Sequence, residues 1–169
     1  MEEKDRGDRK MDLGGLQEAG LDGGGRSDRK VRALFDVNVL VSIYGFPGRL
    51  ALLLEGIDGK FEHVTSPYIV GRMVEILLRR GIEAEVAAEA LLQVWNTSAV
   101  RVVPPRSLVE EALRVCSDLD DAKVIAAAVH SNANLLVTGD KFLLAVGEFE
   151  GVRIVTLEEF AKVLQLRGK

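Results

Sequence analysis

Apolar residues recur along positions 31–169 in two alternating rhythms. Short runs at Val31–Phe35, Phe61–Thr65, Val100–Val103, Leu135–Thr138 and Val152–Val155 are rich in Val, Leu, Ile and Phe and are bounded by polar, Gly or Pro residues, the pattern of strands. The segments between them carry apolar positions three and four apart, the spacing that lines one face of a helix. They predict helices over Arg49–Ile57, Pro67–Arg80, Glu83–Trp95, Ser107–Cys116, Ala122–Ser131 and Lys141–Val146, and from Leu157 to about Leu166. Start and stop signals agree with this division. Ser66 offers a capping hydroxyl before Pro67, Gly81 follows the last turn, Asp118–Asp121 precede Ala122, and Thr156 precedes the final helix. Strand-like runs separated by helices predict an α/β fold with a central parallel sheet of about five strands and helices on both faces.

Residues 1–30 break the pattern. They hold seven of the 17 glycines, eight acids and seven bases, and Leu13, Leu16 and Leu21 stand isolated among them. Such a segment buries too little apolar surface to offset the entropy of ordering it, and it reads as a Gly- and charge-rich disordered extension. It lacks the apolar stretch of a secretory signal, and its acids are foreign to a transit peptide. No apolar run of about 18 residues occurs, so no membrane span is expected.

Composition then narrows the chemistry. With one Cys and two His in 169 residues, a disulfide framework, a Cys-rich zinc site and a His-based metal site all lack material. A lone Cys fits a reducing, cytoplasmic setting. A net charge of −4 argues against a sequence-blind DNA coater. Any catalysis therefore rests mainly on carboxylates. In a parallel sheet, ligands bind at the edge formed by the C-terminal ends of the strands. Asp36 follows the first strand and Asp140 the fourth, while Asp118, Asp120 and Asp121 start the helix that leads into the fourth strand. That helix runs back along the sheet and so begins at the same edge. Three acidic segments converge there if the first and fourth strands are neighbours. Clustered carboxylates stay ionised at neutral pH when a cation joins them. Hard oxygen donors select Mg²⁺ or Mn²⁺, ions suited to hydrolysing phosphate esters. Taken singly, each acid also reads as a turn residue or a helix cap.

At these residues the chain resembles the PIN-domain ribonucleases, in particular the branch of VapC-like toxin components of toxin–antitoxin pairs. Leu34-Phe35-Asp36-Val37-Asn38-Val39-Leu40-Val41-Ser42 is similar to the family's hydrophobic-D-x-N-V-L-V-S opening. Asp118-Leu119-Asp120-Asp121-Ala122-Lys123 is similar to D-P-D-D-x-K, and Leu136-Val137-Thr138-Gly139-Asp140-Lys141 to L-V-T-G-D-K. Gly151-Val152-Arg153-Ile154-Val155-Thr156, followed by Glu159-Phe160, matches the closing strand and helix. The likeness covers about residues 31–165. It implies a three-layer PIN-like domain over 31–169 that hydrolyses RNA with Mg²⁺ or Mn²⁺. It assigns Asp36, Asp121 and Asp140 to the metal, Asp118 to an accessory role, and Asn38 and Thr138 to orienting ligands or water. Lys123 and Lys141 flank these acids and suit contacts to phosphate. The likeness further implies a cognate antitoxin protein and a homodimer.

One position departs from the family. A Glu usually stands six residues after the Ser that caps the second-strand helix, and here that residue is Arg72. The nearest acid, Glu75, lies roughly 60° round the helix and one turn down. Glu75 reads either as a substitute metal acid, with Arg72 binding phosphate, or as half of a surface Glu–Arg pair such as Glu75–Arg79. The second case leaves a catalytically weakened module that binds RNA or a protein. An aspartate-based phosphatase or a receiver domain also places an Asp at a strand end. The first of these wants another Asp two residues on, where Asn38 stands.

Overall fold

The computed structural model describes residues 29–45, 55–56 and 58–167. The extension expected over residues 1–30 lies outside them up to residue 28, and so does the helix expected over 49–57 apart from residues 55–56. Six strands form one sheet among the described residues: β1 (Val31–Phe35), β2 (Phe61–Thr65), β3 (Val100–Arg101), β4 (Leu135–Val137), β5 (Glu148–Phe149) and β6 (Val152–Val155). Their order is β3-β2-β1-β4-β6-β5, with every neighbour parallel except β5, which runs antiparallel to β6. Helices α2 (Pro67–Arg79) and α3 (Ala84–Thr97) connect β2 to β3, after α1 (Val37–Gly45) has followed β1. Helices α4 (Arg106–Ala112) and α5 (Leu119–His130) connect β3 to β4, α6 (Lys141–Val146) follows β4, and α7 (Leu157–Arg167) follows β6. The result is a three-layer α/β fold. Among the described residues no helix is long and apolar enough to cross a membrane.

Two elements add to the expected set. Helix α1 buries Val37, Val39, Leu40, Val41 and Ile43, so its sequence is an apolar run without helical period. It forms because its surroundings, with α2 packed against it, bury it nearly all round. Strand β5 is too short for alternation to show, and it makes a sixth strand where about five are expected. Its hairpin places Glu150 (φ 48°) and Gly151 (φ 84°) in the left-handed region, as a tight two-residue turn requires.

The predicted caps are present. The Ser66 hydroxyl accepts from Ile69 N–H at 3.2 Å. Thr156 and Glu159 form a reciprocal capping box, with the Glu159 carboxylate accepting from Thr156 N–H at 3.0 Å and the Thr156 hydroxyl from Glu159 N–H at 3.1 Å. Strand β4 is apolar along its length and β1 is apolar but for the half-buried Arg32, as befits strands covered on both faces. Phe160 of α7 meets the rings of Phe35 and Phe61 edge-on, at 5.4 and 5.0 Å between centroids. His63 lies buried beside Phe35, and burial pushes its pKa down to about 4, so the ring is neutral and structural.

Candidate functional site

Strands β1 and β4 lie side by side with Phe35 opposite Val137. The residues that follow each strand therefore emerge at one edge. Asp36 N–H donates to the Val137 carbonyl at 2.9 Å, and Thr138 N–H to the Val155 carbonyl at 2.9 Å, so the ladder extends one residue past both strands. Asp36 is buried and uses both carboxylate oxygens: Oδ1 accepts from Val37 N–H and Oδ2 from the Thr138 hydroxyl, each at 2.7 Å. The same hydroxyl accepts from Asp140 N–H at 3.0 Å. Having accepted there, it directs its own proton to Asp36. One threonine thus links the two strand-end acids.

Asp118 and Asp140 are helix caps as well as members of this edge. Asp118 Oδ1 accepts from Asp120 N–H and Asp140 Oδ1 from Phe142 N–H, both at 2.8 Å. Each cap commits one oxygen to its own helix and so fixes where the carboxylate stands. Asp121, on the first turn of α5, feels the whole group. Burial pushes its carboxyl up to about 6 from an ordinary 3.8, and the charges of Asp140, Asp118, Asp36 and Asp120 act in the same direction. Asp36 is raised chiefly by burial. Hydrogen bonds from Thr138 and Val37 oppose that rise, and the Asp140 charge adds to it.

These donors are hard, anionic oxygens that destabilise one another, the set a hard divalent cation relieves. The residues therefore fit Mg²⁺ or Mn²⁺. Among the described residues no group of three or more His, Cys, Asp or Glu side chains is placed to hold a metal ion.

Of the other candidates, Asn38 is exposed on the first turn of α1 and Lys141 is exposed at the start of α6. Lys123 is half-buried, its Nζ 4.7 Å from the centre of the Tyr68 ring. Arg72 and Glu75 pair with each other at 2.5 Å on α2, an i,i+3 contact in place of Glu75–Arg79, and Glu75 is exposed. Glu75 is not among the charges acting on Asp36 or Asp121. Two residues escape a reading of the sequence. Tyr68 donates its hydroxyl to Asp120. Phe142, two residues beyond Asp140, is 81% exposed. An aromatic at a polar position of a short helix, directly after a candidate acid, is the signal that could have marked Phe142.

The acidic edge predicts a pH dependence. Asp121 binds its proton more tightly in the folded chain than in the unfolded one. The stability this contributes is complete below about pH 3.8 and is lost as pH rises through about 6. Without divalent metal, Asp121→Asn is therefore expected to raise the thermal midpoint over wild type above pH 6, with the difference shrinking toward pH 4. Melting curves in EDTA across that range check it; an equal midpoint difference at both ends would refute the coupling.

A family model described as PIN domain matches residues 32–142, a span that includes Asp36, Asn38, Asp118, Asp121, Thr138 and Asp140. Among solved structures, the chain is similar to the crystal structure of PAE2754 from Pyrobaculum aerophilum, with a TM-score of 0.55 and 20% identity over 83% of this chain and 99% of that one. At that identity the likeness bears on the fold. No curated protein matches the chain.

Proposed function

The chain belongs to the PIN-domain family, whose members are generally nucleases, and on that premise we propose that it is a Mg²⁺- or Mn²⁺-dependent endoribonuclease and the toxin of a toxin–antitoxin pair. The supporting observation is that Asp36 and Asp140 follow adjacent strands while Asp121 opens the helix leading into β4, and that the charge of Asp140 acts on both of the others. These three would hold the ion, with Asp118 beside them. A bound divalent ion supplies charge neutralisation at the scissile phosphate and a water of lowered pKa. Thr138 holds the Asp36 carboxylate in one orientation, and Asn38 offers a neutral donor and acceptor two residues along. Lys123, Lys141 and Arg72 bring positive charge to an acidic edge that a polyanion would otherwise avoid. The exposed ring of Phe142 offers a flat face on which a base of a single strand can stack.

Purified protein with Mn²⁺ is expected to cut at least one member of a broad single-stranded RNA panel, and to stop in EDTA. Failure on every RNA would overturn the proposal. Phe142→Ala should raise KM about tenfold with little change in kcat, since stacking on an aromatic is worth about 1–3 kcal/mol.

The Arg72–Glu75 pair favours a second reading, a catalytically weakened module that binds RNA or a protein without turnover. RNA binding without cleavage, with activity gained in Arg72→Glu, would select it. The partners implied by the first reading are a cognate antitoxin and a second copy of the chain. Co-expression with the product of an adjoining gene and light scattering test these.

A further inference from the structure

The first turn of α5 has two sides of opposite character. One carries Asp121, which lies within electrostatic reach of Asp140, Asp118, Asp36 and Asp120. The other carries Asp120, which meets donors and cations. Tyr68, on the first turn of α2, donates its hydroxyl to Asp120 Oδ1. Lys123, one turn further along α5, holds its Nζ 4.7 Å from the centre of the same ring. Arg72, one turn along α2 from Tyr68, lies within electrostatic reach of both Tyr68 and Asp120. Helix α5 thus holds the phenol from positions 120 and 123, at the point where the helix begins.

A tether there has a mechanical consequence. Neighbouring residues of a helix project about 100° apart, so fixing Asp120 fixes the rotation of the turn and with it the direction of Asp121. The turn needs fixing, because Asp121 faces acids that repel it and the first turn of a helix is its least supported part. Asp118 supplies a local brace through Asp120 N–H, whereas Tyr68 joins this turn to another helix through Asp120's carboxylate.

We propose that Tyr68 is a positioning residue: its hydroxyl, acting through Asp120, holds the first turn of α5 against the repulsion of the clustered acids and keeps Asp121 directed at Asp36 and Asp140. The inference rests on the metal-site reading above and gives Tyr68 no contact with ion or substrate. Its effect is on metal affinity, through preorganisation of the donors.

Tyr68→Phe removes the hydroxyl while keeping the ring, the Lys123 contact and the net charge. Mn²⁺ titration calorimetry on the full chain is expected to show about tenfold weaker binding in Tyr68→Phe, and no further loss when Tyr68→Phe is added to Asp120→Ala. Asp120→Asn, which keeps an acceptor for the phenol, should bind Mn²⁺ more tightly than Asp120→Ala, and this comparison decides the matter should Tyr68→Phe not fold. In the metal-free protein, amide exchange at Asp120 and Ala122 should speed up in Tyr68→Phe. Wild type that binds no Mn²⁺ overturns the metal site and this inference with it. Wild type that binds while Tyr68→Phe binds equally well overturns the positioning role alone. So does a Tyr68→Phe loss that persists undiminished in the Asp120→Ala background.

Discussion

Asp36→Asn should abolish Mn²⁺-dependent RNA cleavage and weaken Mn²⁺ binding by about 100-fold or more, while making the metal-free protein more stable. Groups that merely orient a metal ligand are worth roughly 10- to 100-fold in affinity, so a ligand itself should lie at or beyond the top of that range. The local structure should survive. The Asn carbonyl can still accept from Val37 N–H, and the Thr138 hydroxyl has a second lone pair with which to accept from the new amide. What disappears is a buried charge whose ionisation burial already disfavours. Activity and metal-free stability should therefore move in opposite directions, which separates loss of the site from loss of the fold. Calorimetry, a cleavage assay and a melting curve in EDTA read the three quantities. A variant that binds Mn²⁺ and cleaves like wild type would remove Asp36 from the site.

The largest effect on stability is expected at Phe160. Its ring is fully buried and meets both Phe35 and Phe61 edge-on, tying α7 to the adjacent strands β1 and β2. Phe160→Ala should cost about 3–5 kcal/mol, the range for removing a buried aromatic. That is a large share of the roughly 5–15 kcal/mol by which domains are stable. Urea unfolding should show an earlier midpoint with an unchanged slope. A loss below about 1 kcal/mol would mean that these three rings are not the centre of the core. Phe35 immediately precedes Asp36, so this cluster also anchors the strand end from which the candidate site is built.

Much of this was legible in the residues because it is local. Ser66-Pro67 and Thr156 with Glu159 are capping signals complete within a few positions, and the structure carries both caps. The apolar runs of β1 and β4 announce strands covered on both sides, and acids placed directly after them lie at the sheet edge by chain geometry alone. Other features depend on what surrounds the segment. Helix α1 is buried nearly all round, so its sequence lacks the polar face that would reveal a period. Strand β5 exists through its pairing with β6. The adjacency of β1 and β4 was a condition in the sequence and a fact only in the sheet. The bond from Tyr68 to Asp120 joins residues 52 apart and leaves no pattern in either segment. At Arg72 the residues offered two outcomes, and the structure adds that Arg72 is paired with Glu75 on the helix surface.

The strand order also fixes when the acidic edge can exist. Strand β1 finds β2 early, since Val31 pairs with Phe61, but its other neighbour is distant in the chain, since Ala33 pairs with Leu135. A chain emerging from the ribosome can assemble β1, β2 and the helices that follow while Asp36 still lacks Thr138 and Asp140. Strand β4 is interior to the sheet, flanked by β1 and β6, so it cannot be omitted and leave a smaller working version. Closing such a long loop belongs to the late, slow part of folding. For a protein proposed to cut RNA, that timing is protective. Nascent chains and truncated products that lack β4 would carry Asp36 without Thr138 and Asp140, and so without the proposed site.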